Sequence, residues 1–242
     1  MPSETERVRA VYRHYDASPQ AQRKRDPANP GVMQMRSERW LGTRDILCPR
    51  FLVAGVRVLD VGCGEGDDLA RMGLLLPGAE LHGIDLSADR IERARKAAPH
   101  ARLLIRGAQD LPFPGRSFHV VVLATVLSSI LDPATRRAVA AEAFRVLGND
   151  GVLLAYDIRF PSLWNPNVRR VSRRELRALF PSADIRARPI TLLPPLARGL
   201  CRIAPGLYRP MTRIRPLCSH YLAVITRPTD TDCCAAPIDN TK

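Results

Sequence analysis

The sequence predicts an α/β fold in which a mostly parallel sheet carries helices on both faces. Three observations lead there. Apolar, strand-like runs alternate with helix-length segments from residue 57 to residue 157. Val58-Leu59-Asp60-Val61 runs directly into Gly62-Cys63-Gly64-Glu65-Gly66. That is the pattern of a buried strand whose carboxyl end opens through a tight loop into a helix. Finally, 242 residues with 45% hydrophobic content suffice for one domain with a sizeable core and decorations around it.

The glycine spacing narrows what the loop receives. A dinucleotide fingerprint requires a third glycine at position 67, where Asp67 stands. A phosphate-binding P-loop requires Lys-Ser or Lys-Thr after the glycines, and neither follows. Asp60 before the loop and Asp67 and Asp68 behind it would repel a pyrophosphate. A ligand bearing an ammonium group and no phosphate suits these charges. Residues 58–66 resemble motif I of the class I S-adenosylmethionine-dependent methyltransferases, and the other reading is a glycine turn without a ligand.

The elements behind the loop follow in order. Asp67–Leu76 reads as a helix stopped by Pro77-Gly78, and Glu80–Ile84 as a strand ending at Asp85. Asp85 stands about 20 residues beyond the loop, where an acid at the end of the second strand accepts from both ribose hydroxyls. A plain turn before the helix at Ser87 is the alternative for Asp85. Ala101–Arg106 is the third strand. Gly107-Ala108-Gln109-Asp110-Leu111-Pro112-Phe113 after it resembles the family's Gly-Asp-Ala-Glu-Asp-Leu-Pro-Phe. The resemblance implies an adenine contact through the backbone near Ala108. Gly107 replaces the usual Asp, leaving Gln109, Asp110 or backbone carbonyls to receive the exocyclic amine. Ser117–Val122 resembles the next strand, with His119, in place of the usual acid, read as structural.

Asp132-Pro133 supplies an N-cap and first helical residue, with Gly148 placed to end the helix after Leu147. Gly148-Asn149-Asp150 stands in for the family's Lys-Pro-Gly turn, since all three residue types tolerate positive φ. Val152–Tyr156, ending in Asp157, is the fifth strand. The ordered motifs span Arg57 to Asp157. They imply a Rossmann-like methyltransferase fold with a seven-stranded, mostly parallel sheet and an antiparallel last strand. The implied cofactor is S-adenosylmethionine (SAM), held by Asp60, Gly62, Cys63, Gly64, Gly66, Asp85, Leu86, Ala108, Gln109 and Ala124.

Acceptor recognition then falls to the decorations. The expected organisation is a helical cap over residues 1–56, a cofactor domain over 57–226 with insertions at about 158–171 and 193–218, and a disordered tail over 227–242. In the cap, Val11–Asp16 resembles the N-terminal helix that lies over SAM in this family; Tyr15 and His14 are candidate substrate contacts, or Val11 and Tyr15 pack on the domain. The first insertion offers Trp164, Asn165 and Arg169, and Ser172-x-x-Glu175 is a capping box that ends it. The second spaces Leu196, Leu200, Ile203 and Leu207 along one helical face beside Arg198, Arg202 and Arg209. It reads first as a packed lid over an apolar or anionic acceptor, then as an ordinary helix pair, and last as a membrane-surface patch.

Composition restricts the remaining classes. The net charge of +13 is almost all arginine, only Lys24, Lys96 and Lys242 being lysine, and no nucleic-acid module accompanies the core. Ala124-Thr125-Val126-Leu127 also lacks the Asn/Asp-Pro-Pro-Tyr motif with which resembling enzymes hold base amines. The six cysteines lack paired C-x-x-C spacing, so reduced thiols and no metal are expected. A polar N-terminus and the lack of a long apolar run predict a cytoplasmic chain. The reading is a SAM-dependent methyltransferase of a small-molecule acceptor, a biosynthetic intermediate or anionic metabolite, with oligomeric state unassigned. RNA methylation and non-catalytic SAM-fold binding are the alternatives. Should the acceptor lose a proton, His14, Asp157 and His220 are the candidate bases.

Overall fold

The computed structural model describes residues 3–161 and 165–228. Trp164 and the tail from residue 229 lie outside the described residues. The chain opens with α1 (Glu4–Ala17), α2 (Pro19–Arg25) and α3 (Pro30–Phe51), then alternates β1 (Arg57–Val61), α4 (Asp67–Leu75), β2 (Glu80–Asp85), α5 (Ala88–Ala97), β3 (Arg102–Ile105) and β4 (Phe118–Ala124). It continues through α6 (Pro133–Val146), β5 (Leu147–Ile158), α7 (Arg173–Leu179), β6 (Asp184–Leu192), α8 (Pro194–Ile203), α9 (Tyr208–Thr212) and β7 (Cys218–Thr226). The seven strands are ordered β3-β2-β1-β4-β5-β7-β6. Pairing is parallel from β3 through β5, and β7 runs antiparallel to both β5 and β6.

Period-2 alternation assigns the strand residues to two cores. Leu59 and Val61 of β1, with Val121, Leu123, Leu153 and Ala155, pack on α6 and α7. Val58, Val120, Val122, Val152 and Leu154 face α3, α4 and α5 through Leu47, Leu69, Met72 and Ile91. Burial on both faces explains why the central strands read as nearly unbroken apolar runs. Leu47 and Phe51 bring the second half of α3 into the second core. No helix among the described residues is long and apolar enough to cross a membrane.

Three local expectations are corrected. The helix before β5 ends at Val146 rather than at Gly148: Leu147 already has extended dihedrals and β5 begins at once, without positive φ at residues 148–151. Gly148 is instead needed for close approach, since a Cβ there would sit 3.1 Å from the Phe118 carbonyl oxygen. The capping box at Ser172 is half formed. The Ser172 hydroxyl accepts from the Glu175 N–H at 3.1 Å, but the Glu175 carboxylate turns to Arg136 at 2.5 Å. In the second insertion Leu196 and Leu200 pack inward beside buried Ala197, Cys201 and Tyr208, whereas Ile203 is 89% exposed and Leu207 49%.

Candidate functional site

Strand order reverses at β1, with β2 on one side and β4 on the other, and the crevice beyond their carboxyl ends is where open α/β sheets bind ligands. The glycine loop closes the first strand there. Gly62, Gly64 and Gly66 take φ of 76°, 54° and 84°, and at Gly62 a Cβ would also lie 2.8 Å from Val126 Cγ2. Glycine avoids both the left-handed strain and the clash. The loop is pinned from β2, because Asp85 Oδ2 accepts from the Gly64 N–H at 3.0 Å while Oδ1 accepts from the Ser87 N–H at 2.9 Å.

Two cavities meet over this loop. The first, about 370 Å³, is bounded by Asp85, Leu86, Ala108, Gln109, Ser129 and Ile130 and roofed by Val8, Tyr12 and Tyr15 of α1. The second, about 850 Å³, lies between α3, α8 and the strand ends, and reaches Asp60, Arg39, Tyr156, Thr191, Arg198 and His220. Gly62, Arg90, Ala124 and Thr125 line both. Thr125 has φ of 59° and Thr191 of 66°, conformations that cost a β-branched residue about 1–3 kcal/mol each. Both stand in the wall of the larger cavity, where such strain points to function.

The electrostatics differ across the junction. Asp60 is 3% exposed, and its carboxylate takes no hydrogen bond from any described residue. Burial first, and the Asp68 carboxylate second, raise its pKa well above the ordinary value against the pull of Arg39. Arg39 itself clamps Asp68 through two 2.6 Å hydrogen bonds and lies 5.3 Å over the Tyr156 ring. Tyr156 stacks on His220 at 4.7 Å and 5°, and its hydroxyl is 3.0 Å from Thr191 Oγ1. On the roof, Asp16 of α1 receives Arg90 at 2.6 and 2.8 Å and Arg93 at 3.0 Å. Burial opposes the Asp16 anion, but these cations and Arg25 outweigh it and hold the carboxyl below its usual range.

Residues 58–151 match a family described as "Methyltransferase domain". Over those residues the chain carries a methyltransferase domain. The cofactor of this class is S-adenosylmethionine. Over shorter stretches the methyltransferase domain is 45% identical to a demethylmenaquinone methyltransferase of Chlorobaculum tepidum, across 27% of this chain and 26% of that protein. It is 38% identical to a fatty-acid O-methyltransferase of Mycolicibacterium smegmatis, across 44% and 39% respectively. The alignments thus span well under two thirds of these relatives' lengths. Among solved structures, the plantazolicin methyltransferase BpumL superposes with TM-score 0.58 at 17% identity, covering 93% of this chain and 98% of that one. The [4+2]-cyclase SpnF gives 0.59 at 19%, covering 77% and 81%. One fold thus appears under two chemistries, and the site has to carry the functional argument.

Several positions named from the sequence converge on these two cavities. Asp85, Leu86, Ala108 and Gln109 line the smaller cavity, Asp60 and Cys63 the larger, and Gly62 and Ala124 both. Gly64 and Gly66 shape the loop without lining either one. Cys63 is buried, and burial pushes its thiol pKa up, which suits a small space-filling group. Asp110 lies outside both cavities, leaving Gln109 as the polar side chain of that loop in the smaller one.

The acceptor-side expectations need more correction. His14 is exposed on α1 and lines neither cavity. Asp157 is fully buried, its oxygens taken at 3.1 Å by the Ser128 and Ile158 N–H groups; burial lifts its pKa to about 6. It anchors the turn Leu127–Ser129 instead of facing the cavity. Tyr15 belongs to the smaller cavity's roof, where its hydroxyl donates to Asn165 Oδ1 at 2.9 Å. Asn165 therefore braces the roof from outside, and Arg169 is exposed with its N–H on the Ser128 carbonyl. Only His220 of the three candidate bases reaches the larger cavity. Sequence reasoning missed Arg39, Thr125, Tyr156 and Thr191. Their one sequence signal is a threonine after β4 and before α8, which is too common a residue to single out.

Proposed function

We propose that this chain transfers a methyl group from SAM to a small-molecule acceptor held in the larger cavity. The observation that carries the proposal is the junction of the two cavities at Gly62, Ala124 and Thr125. An adenosine-sized compartment opens there onto a separate one of about 850 Å³. When bound, SAM supplies a methyl already activated on a sulfonium. The protein's task is alignment, a proximity effect worth up to about 7–11 kcal/mol.

The residues fit that cofactor. Asp85 has lone pairs left for vicinal hydroxyls after its two backbone hydrogen bonds, and Asp60 is a buried carboxyl with no cation at bonding distance among the described residues, as an ammonium group requires. Ionisation of Asp60 is disfavoured in the free protein, and a bound ammonium favours the anion. Cofactor binding should therefore release a proton wherever Asp60 is protonated beforehand, and affinity should rise with pH until Asp60 ionises unaided. Calorimetry at about pH 5 to 8 in two buffers of unlike ionisation enthalpy measures this. Identical heats in both buffers at the acid end would remove Asp60 from the ammonium site.

On the acceptor side, His220 is the proton acceptor. Ser219 Oγ donates to the Thr191 carbonyl at 3.1 Å and thus receives Nδ1–H of His220 at 2.8 Å. That tautomer leaves the Nε2 lone pair without a partner among the described residues, in a ring held flat against Tyr156. Burial, then Arg39, lowers the imidazole pKa to about 3, so it stays neutral at ordinary pH. It accepts a hydrogen bond from an acceptor hydroxyl and orients it, and being so weak a base it takes the proton only once the oxygen has gained the methyl and become strongly acidic, then passes it to solvent. His220→Ala should lower kcat about 100-fold or more with SAM affinity unchanged, and His220→Gln should lose less. An unchanged kcat in His220→Ala would show that no proton passes to this ring.

The acceptor class is a small biosynthetic intermediate, with Arg198 offering a place for an anionic group. Burial alone lowers the Arg198 pKa, and no described carboxylate pairs with it. The whole reading is tested with methyl-labelled SAM and an extract of host cells, separated into small molecules and RNA. Label in the small-molecule fraction is expected. Label in RNA would favour base methylation, and absence of label from both, with SAM bound, would favour a non-catalytic protein.

A further inference from the structure

We propose that the face formed by α8, α9 and the turns around them docks on an anionic lipid bilayer. Residues 193–218 hold five arginines (198, 202, 209, 213 and 215) and no Asp or Glu. None of the five makes an ion pair with a described residue, and Arg202, Arg209, Arg213 and Arg215 are exposed. Among them stand three large aliphatics turned to solvent: Ile203 at 89%, Leu207 at 49% and Ile214 at 49% exposure. The opposite side of the segment is fully engaged, since Ala197, Cys201 and Tyr208 are buried with Leu192. The Tyr208 hydroxyl also donates to Glu38 at 2.8 Å. The exposed side is therefore an apolar-and-cationic face on a rigid support, not a helix awaiting its own core.

Charge complementarity selects the occupant. Aliphatic side chains flanked by arginines suit the boundary of a bilayer, where apolar groups enter the acyl region and cations meet phosphate. Each arginine near such a surface strengthens partitioning roughly fivefold. A second copy of the chain would set one cationic cluster against another, and a nucleic acid would leave the aliphatics in water. α8 also lends Pro194 and Arg198 to the larger cavity. Docking would thus hold that cavity's rim at the membrane surface, where an acceptor of lipid character is drawn from the bilayer. This last step alone rests on the methyltransferase reading.

The test is flotation of the full-length chain with phosphatidylcholine vesicles containing about one third phosphatidylglycerol, against pure phosphatidylcholine, at physiological salt. Retention on the anionic vesicles only is expected. A loss of about tenfold or more is expected for Ile203→Ser with Ile214→Ser, and independently for Arg202→Gln with Arg209→Gln and Arg213→Gln. All five sites face solvent, and SAM titration of each variant reports an intact fold. Three results would overturn the proposal: no flotation by the unaltered chain; retention unmoved by the apolar pair and competed by RNA, which makes the face a polyanion site; or a dimer in solution that Ile203→Ser dissociates. Flotation needs no methyl transfer, so failure here and failure of the enzymatic reading are read separately.

Discussion

Asp85→Ala is expected to weaken SAM binding about 100-fold or more in calorimetry. Hydrogen bonds to a charged group contribute about 1.5–3 kcal/mol each, and two ribose hydroxyls share this carboxylate in the proposed complex. The structure adds a second contribution, because the same side chain accepts from the Gly64 and Ser87 N–H groups and so holds the glycine loop against β2. Asp85→Asn separates the two roles. It keeps one acceptor oxygen for the loop while losing the charge and turning one end into a donor that a ribose hydroxyl meets less well. The asparagine variant should therefore bind more tightly than the alanine variant, yet well below the unaltered chain. Unchanged affinity in both would contradict the cofactor site itself.

The second large effect is on stability. Arg136 is 1% exposed, its guanidinium gripping the Ile130 carbonyl through Nε and Nη2 and Glu175 through Nη1. Arg136→Leu leaves that carbonyl and that carboxylate without their donors, a change that costs about 3–5 kcal/mol when a buried pair is broken. For a chain of this size the fall in Tm should be on the order of 10 °C. A double-mutant cycle with Glu175→Gln should show a coupling of about 1 kcal/mol or more. A Tm shift below about 2 °C would mean that the cluster is wet or replaceable. The substitution should also lower SAM affinity, since Ser129 and Ile130 line the smaller cavity beside this anchor.

How much was legible in advance divides along physical lines. The glycine loop could be read because positive φ at three positions restricts residue choice, so the backbone requirement is written in the residues themselves. The strands could be read because double burial forces unbroken apolar runs. Gly148 misled for a related reason. Glycine serves close approach as well as left-handed turns, and only the neighbouring Phe118 carbonyl distinguishes the two uses.

The acceptor side resisted the same reading. His14, Asp157 and His220 look alike as titratable groups near element ends, yet one faces solvent, one is spent on backbone N–H groups and one reaches the cavity. The tautomer of His220 depends on Ser219 and Thr191 from paired strands, and the clamp on Asp68 comes from Arg39, 29 residues earlier on α3. Asp16 closes the roof through Arg90, 74 positions away. No local spacing records such pairs.

The sequence by itself determined the layered α/β fold and the kind of loop at its centre, because hydrophobic period and backbone conformation are local constraints. Tertiary structure alone decided which carboxylate stays unpaired, which imidazole keeps a bare lone pair, and which aliphatics remain in water. Those properties belong to distances between segments remote in the chain. The glycines mark the crevice at the strand ends, while the walls of the larger cavity are brought together from α3, α8 and β7.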